Sequence, residues 1–109
     1  MYRLQYQPKI RNYTPDFILE NGIIIEAKGW FRADDRTKML LVNEQWPQLD
    51  IRLLFEKADN TLSKRSKTTY KEWAEKHGFI WAEGLIPLSW INEPKRPYNI
   101  DEILIKKKR

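Results

Sequence analysis

At the start of the chain Tyr2, Leu4 and Tyr6 alternate with Arg3, Gln5 and Gln7, a period of two that predicts a half-buried strand ending near Pro8. Two β-rich runs follow, Phe17 to Leu19 and Ile23 to Ile25, separated by the turn residues Glu20-Asn21-Gly22, and together they predict a hairpin. Both of its faces are apolar, so the sheet is expected to be covered on both sides. A polar stretch from Arg32 to Lys38 runs into Met39, Leu40, Leu41, Val42 and Trp46, predicting a helix that Asp34 or Asp35 can cap and Pro47 stops. Leu49 to Phe55 reads as a buried strand; with residues 23–28 and the helix it makes a strand, helix, strand unit with a parallel pairing. Residues 56–68 are charged and loop-like. Thr69 and Glu72 then fit a capping box, Tyr70, Trp73, Ala74 and His77 fall on one helical face, and Gly78 is placed to end that helix. Phe79 to Ala82 predicts a last strand and Ile86 to Ile91 a short helix or turn, before irregular chain at Pro94 and Pro97 and a basic tail from Lys106 to Arg109. There is no repeat and no linker.

With 109 residues, the chain has room for one domain, 1–109. Its mean hydropathy is −0.71, yet five Trp, five Tyr and four Phe are enough aromatic residues for a core. No strictly apolar run exceeds four residues, as in Met39 to Val42, so no membrane segment is expected and the setting is expected to be cytoplasmic. Zero Cys excludes disulfides and thiolate chemistry, and a single His excludes a multi-His metal site, so any metal must sit mainly on carboxylates. Twenty Lys and Arg against fifteen Asp and Glu give a net charge of +5, which points towards a polyanion such as nucleic acid.

Carboxylates and a lysine gather near the hairpin. Glu26 and Lys28 are two apart on one strand and share a face, but whether Asp16 joins them depends on the turn. A two-residue Asn21-Gly22 loop would set Asp16 opposite Ala27, on the far face from Glu26. A three-residue Glu20-Asn21-Gly22 loop, with Gly22 left-handed, would set Asp16 opposite Glu26 and leave Phe17, Leu19, Ile23 and Ile25 as a wholly apolar second face. In that second register two carboxylates roughly 5 Å apart at Cβ would repel unless they shared a hard divalent cation, and Lys28 would stand ready to orient a nucleophile or neutralise an oxyanion. That is the chemistry of a metal-dependent nuclease. An Asp before a strand is also a common cap, and Glu and Lys among apolar residues also make an ordinary solvent face; Ile18 and Ile24 on the same face suit a recessed site instead.

The run Tyr13-Thr14-Pro15-Asp16-Phe17, Asn21-Gly22-Ile23, Glu26-Ala27-Lys28-Gly29, Asp34-Asp35-Arg36, Glu44-Gln45 and Leu49-Asp50-Ile51-Arg52 resembles one family. The likeness resumes at Glu75-Lys76-His77-Gly78, Leu85-Ile86-Pro87, Trp90-Ile91 and Glu93-Pro94-Lys95, so it covers nearly the whole chain from residue 13 onwards. It is the bacteriophage endonuclease I, or Holliday-junction resolvase, branch of the PD-(D/E)xK nucleases. The resemblance implies an α/β restriction-endonuclease-like PD-(D/E)xK fold, a mixed central sheet flanked by helices. It also implies a homodimeric, Mg2+-dependent endonuclease, with Mn2+ able to substitute, that cuts four-way and other branched DNA in the cytoplasm of a bacterial host. Asp16 and Glu26 are then the metal ligands and, with Lys28, the catalytic residues. The family's N-terminal helix, which bears a further catalytic glutamate, is expected to be absent from these 109 residues, with Glu20 in the turn a poor substitute.

Arg32, Arg36 and Lys38 at the start of the first helix can reach phosphates flanking a scissile bond, or be its solvated face. Lys64, Arg65, Lys67, Lys106, Lys107, Lys108 and Arg109 are the best phosphate-binding patches, with a solubilising tail as the alternative for the last four. Asp34 and Asp35 read as a cap and first-turn charge rather than as metal ligands, and His77 reads as structural. Trp30 and Phe31 can wedge at a junction, but the core is the favoured place for both. No small-molecule substrate is expected. Two rival readings are a branched-DNA-binding protein that no longer cuts and a nicking or restriction-like nuclease of the same superfamily.

Overall fold

A computed structural model describes residues 14–98. The expected strand around Tyr2 to Tyr6 and the basic tail Lys106 to Arg109 lie outside them. The described residues form β1 (Phe17–Ile18), β2 (Ile24–Lys28), α1 (Ala33–Gln45), β3 (Ile51–Phe55), α2 (Tyr70–Lys76), β4 (Trp81–Glu83) and α3 (Leu88–Ile91). The four strands make one mixed α/β sheet in the order β1-β2-β3-β4, antiparallel between β1 and β2 and parallel from β2 to β4.

The hairpin takes the three-residue turn. Phe17 pairs with Ile25 and Ile18 with Ile24, while the Leu19 N–H donates to the Ile23 carbonyl at 2.9 Å and the Gly22 N–H to the Leu19 carbonyl at 2.9 Å. Gly22 has a φ of +96°, the left-handed conformation that a side chain disfavours. A Cβ there would also meet the Arg96 side chain at 3.1 Å.

The starts of α1 and α2 have chemical causes. At α2 the Thr69 hydroxyl accepts from the Glu72 N–H while Glu72 accepts from the Thr69 N–H, the expected capping box. At α1 the expectation of an Asp cap is corrected: Arg32 is the N-cap, and Asp35 acts from inside the first turn, accepting from the Arg32 N–H at 3.1 Å. Asp34 instead accepts from the Asp35 N–H, and both acids complement the positive end of the helix.

α1 and α2 cover one sheet face. There Met39, Val42, Tyr70, Trp73 and Ala74 pack with Ile24, Phe31, Leu53 and Phe55. On the other face Trp90 of α3 packs with Ile23 and Ile25. β2 is therefore covered on both sides as expected, whereas β1 is not: Phe17 is 52% and Ile18 43% exposed, because β1 is the sheet edge. Phe31 is core, as expected, but Trp30 is not. The chain bends at Gly29 and Trp30 after β2, which leaves the Phe31 side chain buried against Phe55, Tyr70 and Trp73 and that of Trp30 exposed.

The irregular segment after α3 is held by charge. Arg52, 4% exposed, donates to both carboxylate oxygens of Asp50 at 2.9 and 2.8 Å and to both of Glu93 at 2.8 and 2.9 Å, with its guanidinium 5.1 Å from the Trp90 ring centre. Arg96 adds a bond to Asp50 at 2.8 Å. Burial alone would lift the Asp50 pKa, but hydrogen bonds and charge from Arg52 and Arg96 hold it below its ordinary 3.8. The Arg52 hydrogen bond likewise draws Glu93 below its ordinary 4.5. Both folded values are depressed, so their stabilisation is present above the ordinary values and is lost as pH falls through the folded ones. Stability followed by circular dichroism is thus expected to change little from neutrality to the mid-fours and to fall below that. An Asp50→Asn, Glu93→Gln double variant should be less stable at neutral pH yet lose less on acidification; equal acid losses from the two proteins would refute the assignment.

Candidate active site

The register carried one residue beyond Phe17 and Ile25 sets Asp16 opposite Glu26, and directly opposed residues point to the same side of a sheet. Asp16 is aimed by the backbone, its Oδ2 accepting from the Ala27 N–H at 3.0 Å. Glu26 lies in the middle of β2, on the face it shares with Ile24, and is 1% exposed. Lys28, at the end of β2, holds its Nζ 4.0 Å from Glu26 Oε1 and 3.4 Å from Asp35 Oδ1. Of the two registers open to the sequence, the observed one brings Asp16, Glu26 and Lys28 to one face.

Sequence reasoning missed the part of Asp35, which touches both Lys28 and the Arg32 N–H and so links the lysine to the start of α1. The only signal was its place in the first turn of a helix following closely on the lysine strand. It also missed the Arg52 cluster; an Asp-Ile-Arg sequence inside an otherwise apolar strand was the available sign.

The remaining candidates are dispersed around this centre. Arg32 is exposed and pairs with Asp34 at 3.6 Å, while Arg36 is drawn back onto the Phe31 carbonyl at 2.8 Å. Lys38 is half-buried on α1; Lys64, Arg65 and Lys67 are exposed on the loop before α2. His77 ends α2 against Trp73, ring centres 4.6 Å apart, as a structural residue would. Glu20 sits exposed in the turn, at the other end of the hairpin from Asp16. Among the described residues no three Asp, Glu or His side chains are grouped so as to hold a metal ion by themselves.

This sheet, with its acids and lysine, belongs to a chain whose whole length, residues 1–109, matches the family described as phage endonuclease I. The chain belongs to that family. It is 52% identical over 95 residues to "Endodeoxyribonuclease 1" of Enterobacteria phage T3, covering 87% of this chain and 62% of that protein. It is 50% identical over 91 residues to "Endonuclease I" of Escherichia phage T7, covering 84% of this chain and 61% of that protein. The chain thus spans about three-fifths of the length of these curated relatives.

Proposed function

We propose that this chain is a structure-selective, Mg2+-dependent DNA endonuclease of the restriction-endonuclease-like PD-(D/E)xK fold that resolves four-way junctions and other branched DNA, acting as a homodimer in the cytoplasm of a bacterial host. The observation that carries the reading is the hairpin register, which sets Asp16 across from Glu26 with Lys28 on the same face. The names of the T3 and T7 relatives, both endonucleases, support the reaction class.

Asp16 and Glu26 are hard oxygen donors of the kind Mg2+ takes, and Mg2+ commonly binds through one or two carboxylates, completing its shell with water and substrate phosphate. The pair therefore fits the ion without a third acid. When bound, Mg2+ or Mn2+ would supply an activated water and charge stabilisation for the phosphodiester. The protein's own part is to orient and to neutralise. Ala27 fixes the Asp16 carboxylate through its N–H, and the β2 backbone fixes Glu26 in a recess. Lys28, held between Glu26 and Asp35, presents a cation to the phosphate oxygens where negative charge grows. Arg32, Arg36, Lys38, Lys64, Arg65 and Lys67 contact the flanking phosphates, with Lys106, Lys107, Lys108 and Arg109 in the tail adding sequence-independent affinity. The exposed apolar pair Phe17 and Ile18 on the edge strand suits an assembly in which two sites cut paired strands.

The test is cleavage of a synthetic four-way junction beside a linear duplex of the same sequence, with Mg2+ or Mn2+ and with EDTA. Junction-selective cutting that EDTA abolishes is expected. Tight junction binding without cutting would favour the binding-only reading, and equal cutting of the linear duplex the restriction-like one.

A further inference from the structure

We propose that Trp30 and Arg32 form a stacking platform for a nucleobase whose stacking is interrupted at the branch point of the DNA. This rests on the nuclease reading above and adds to it the group that tells branched from linear substrate. Trp30 follows Lys28 by two residues and is 72% exposed, a large cost for an indole unless it meets a partner. Among the described residues its ring is approached by the Arg32 guanidinium, 4.9 Å from the ring centre.

The platform is rigid from behind. Phe31 is wholly buried, its N–H donates to the Tyr70 hydroxyl at 3.2 Å, and its carbonyl accepts from Arg36 at 2.8 Å. The backbone that carries the indole is thus pinned on both sides, and little ordering is left to be done when a ring stacks on it. Beside the indole lies a cleft of about 490 Å³, lined by Arg32, Arg36, Leu62 and Ser63, with Asp34 paired to Arg32. Such a volume lies within the range of about 300–1,000 Å³ that small-ligand sites occupy. Ser63 leads directly into the loop that carries Lys64, Arg65 and Lys67.

An aromatic face edged by cations fits a flat, π-rich ring tethered to phosphate, and stacking of this kind accepts any base. In an intact duplex every base is already stacked and paired. Only where the stack is interrupted, as at a branch point, is a face free, so Trp30 would reward branched DNA and ignore linear DNA. An apolar protein partner would be better served by apolar walls than by Arg32 and Arg36.

The experiment measures binding with EDTA present, so that it does not depend on cleavage, using a four-way junction with 2-aminopurine at the branch point and a linear duplex as control. Trp30→Ala should weaken junction binding by roughly 5- to 150-fold, the range that base–aromatic stacking spans, change linear-duplex binding less than about twofold, and remove the 2-aminopurine quenching seen with the unaltered protein. Trp30→Phe should retain part of both signals. Junction affinity and quenching unchanged by Trp30→Ala would overturn the platform while leaving the nuclease reading in place. An unaltered protein that binds junctions no better than linear duplex would overturn both. If Trp30→Ala leaves DNA binding unchanged and instead abolishes self-association in sedimentation, the ring belongs to a protein contact and the platform is refuted.

Discussion

Under the nuclease function proposed above, replacing Glu26 with Gln is expected to lower junction cleavage by about three orders of magnitude, equivalent to the several kcal/mol of charge stabilisation that a bound metal would supply. Gln is the informative choice because Glu26 is 1% exposed: Ala would leave a cavity beneath the sheet, whereas Gln keeps the volume and removes the charge. On the same reading junction affinity should stay the same or rise, since a negative charge that would face the bound phosphates is removed. Cleavage by Glu26→Gln within tenfold of the unaltered protein would reject Glu26 as a metal ligand. Loss of cleavage together with a lower melting temperature would mean that the carboxylate serves the fold, so the melting curve is measured on the same sample.

Arg52→Ala is expected to be strongly destabilising. It removes a guanidinium that is 4% exposed, bonded to both oxygens of Asp50 and of Glu93, and stacked on Trp90. Taking one partner from a buried ion pair costs about 3–5 kcal/mol where the charge left behind has lost both water and partner. Asp50 and Glu93 keep some solvent and a contact each to Arg96, so the lower end of that range applies. At about 4–8 °C per kcal/mol for domains near this size, the melting temperature should drop by more than about 10 °C. Arg52→Met, which keeps most of the packing on Trp90, should lose less. A drop of under about 2 °C for Arg52→Ala would show that the cluster contributes nothing net.

The damage would not stay local. Asn21 Nδ2 donates to the carbonyls of Trp90 at 2.8 Å and Glu93 at 3.1 Å, while its Oδ1 accepts from the Ile23 N–H at 3.1 Å. The Tyr98 hydroxyl donates to the Gly22 carbonyl at 2.8 Å and accepts from the Asp50 N–H at 3.1 Å. The segment that Arg52 holds is therefore the one that grips the hairpin turn. Through that turn the cluster supports the register on which Asp16 and Glu26 depend, although Arg52 lies on the opposite face of the sheet.

Local chemistry was enough for the elements themselves. The β-rich runs around Glu20-Asn21-Gly22, the Thr69 and Glu72 box, the Gly78 stop and the succession of β2, α1 and β3 all follow from neighbours within a few residues, so short-range propensity and periodicity decide them. Glu26 and Lys28 sharing a face follows in the same way from the strand period. What local chemistry left open was any choice whose alternatives differ little nearby and much at a distance. The two hairpin loops are both acceptable turns; contacts from Trp90, Glu93 and Tyr98, some seventy residues away, hold the three-residue one and so bring Asp16 to Glu26. Trp30 and Phe31 are adjacent and equally apolar, and only the position of Tyr70 and Trp73 chooses Phe31 for the core. Arg52 could be read as the polar residue of a strand until Glu93 and Trp90 folded over it. The elements belong to the sequence because their energetics are local; the assembly of the site belongs to the tertiary structure because it depends on pairings that the chain makes only when it closes on itself.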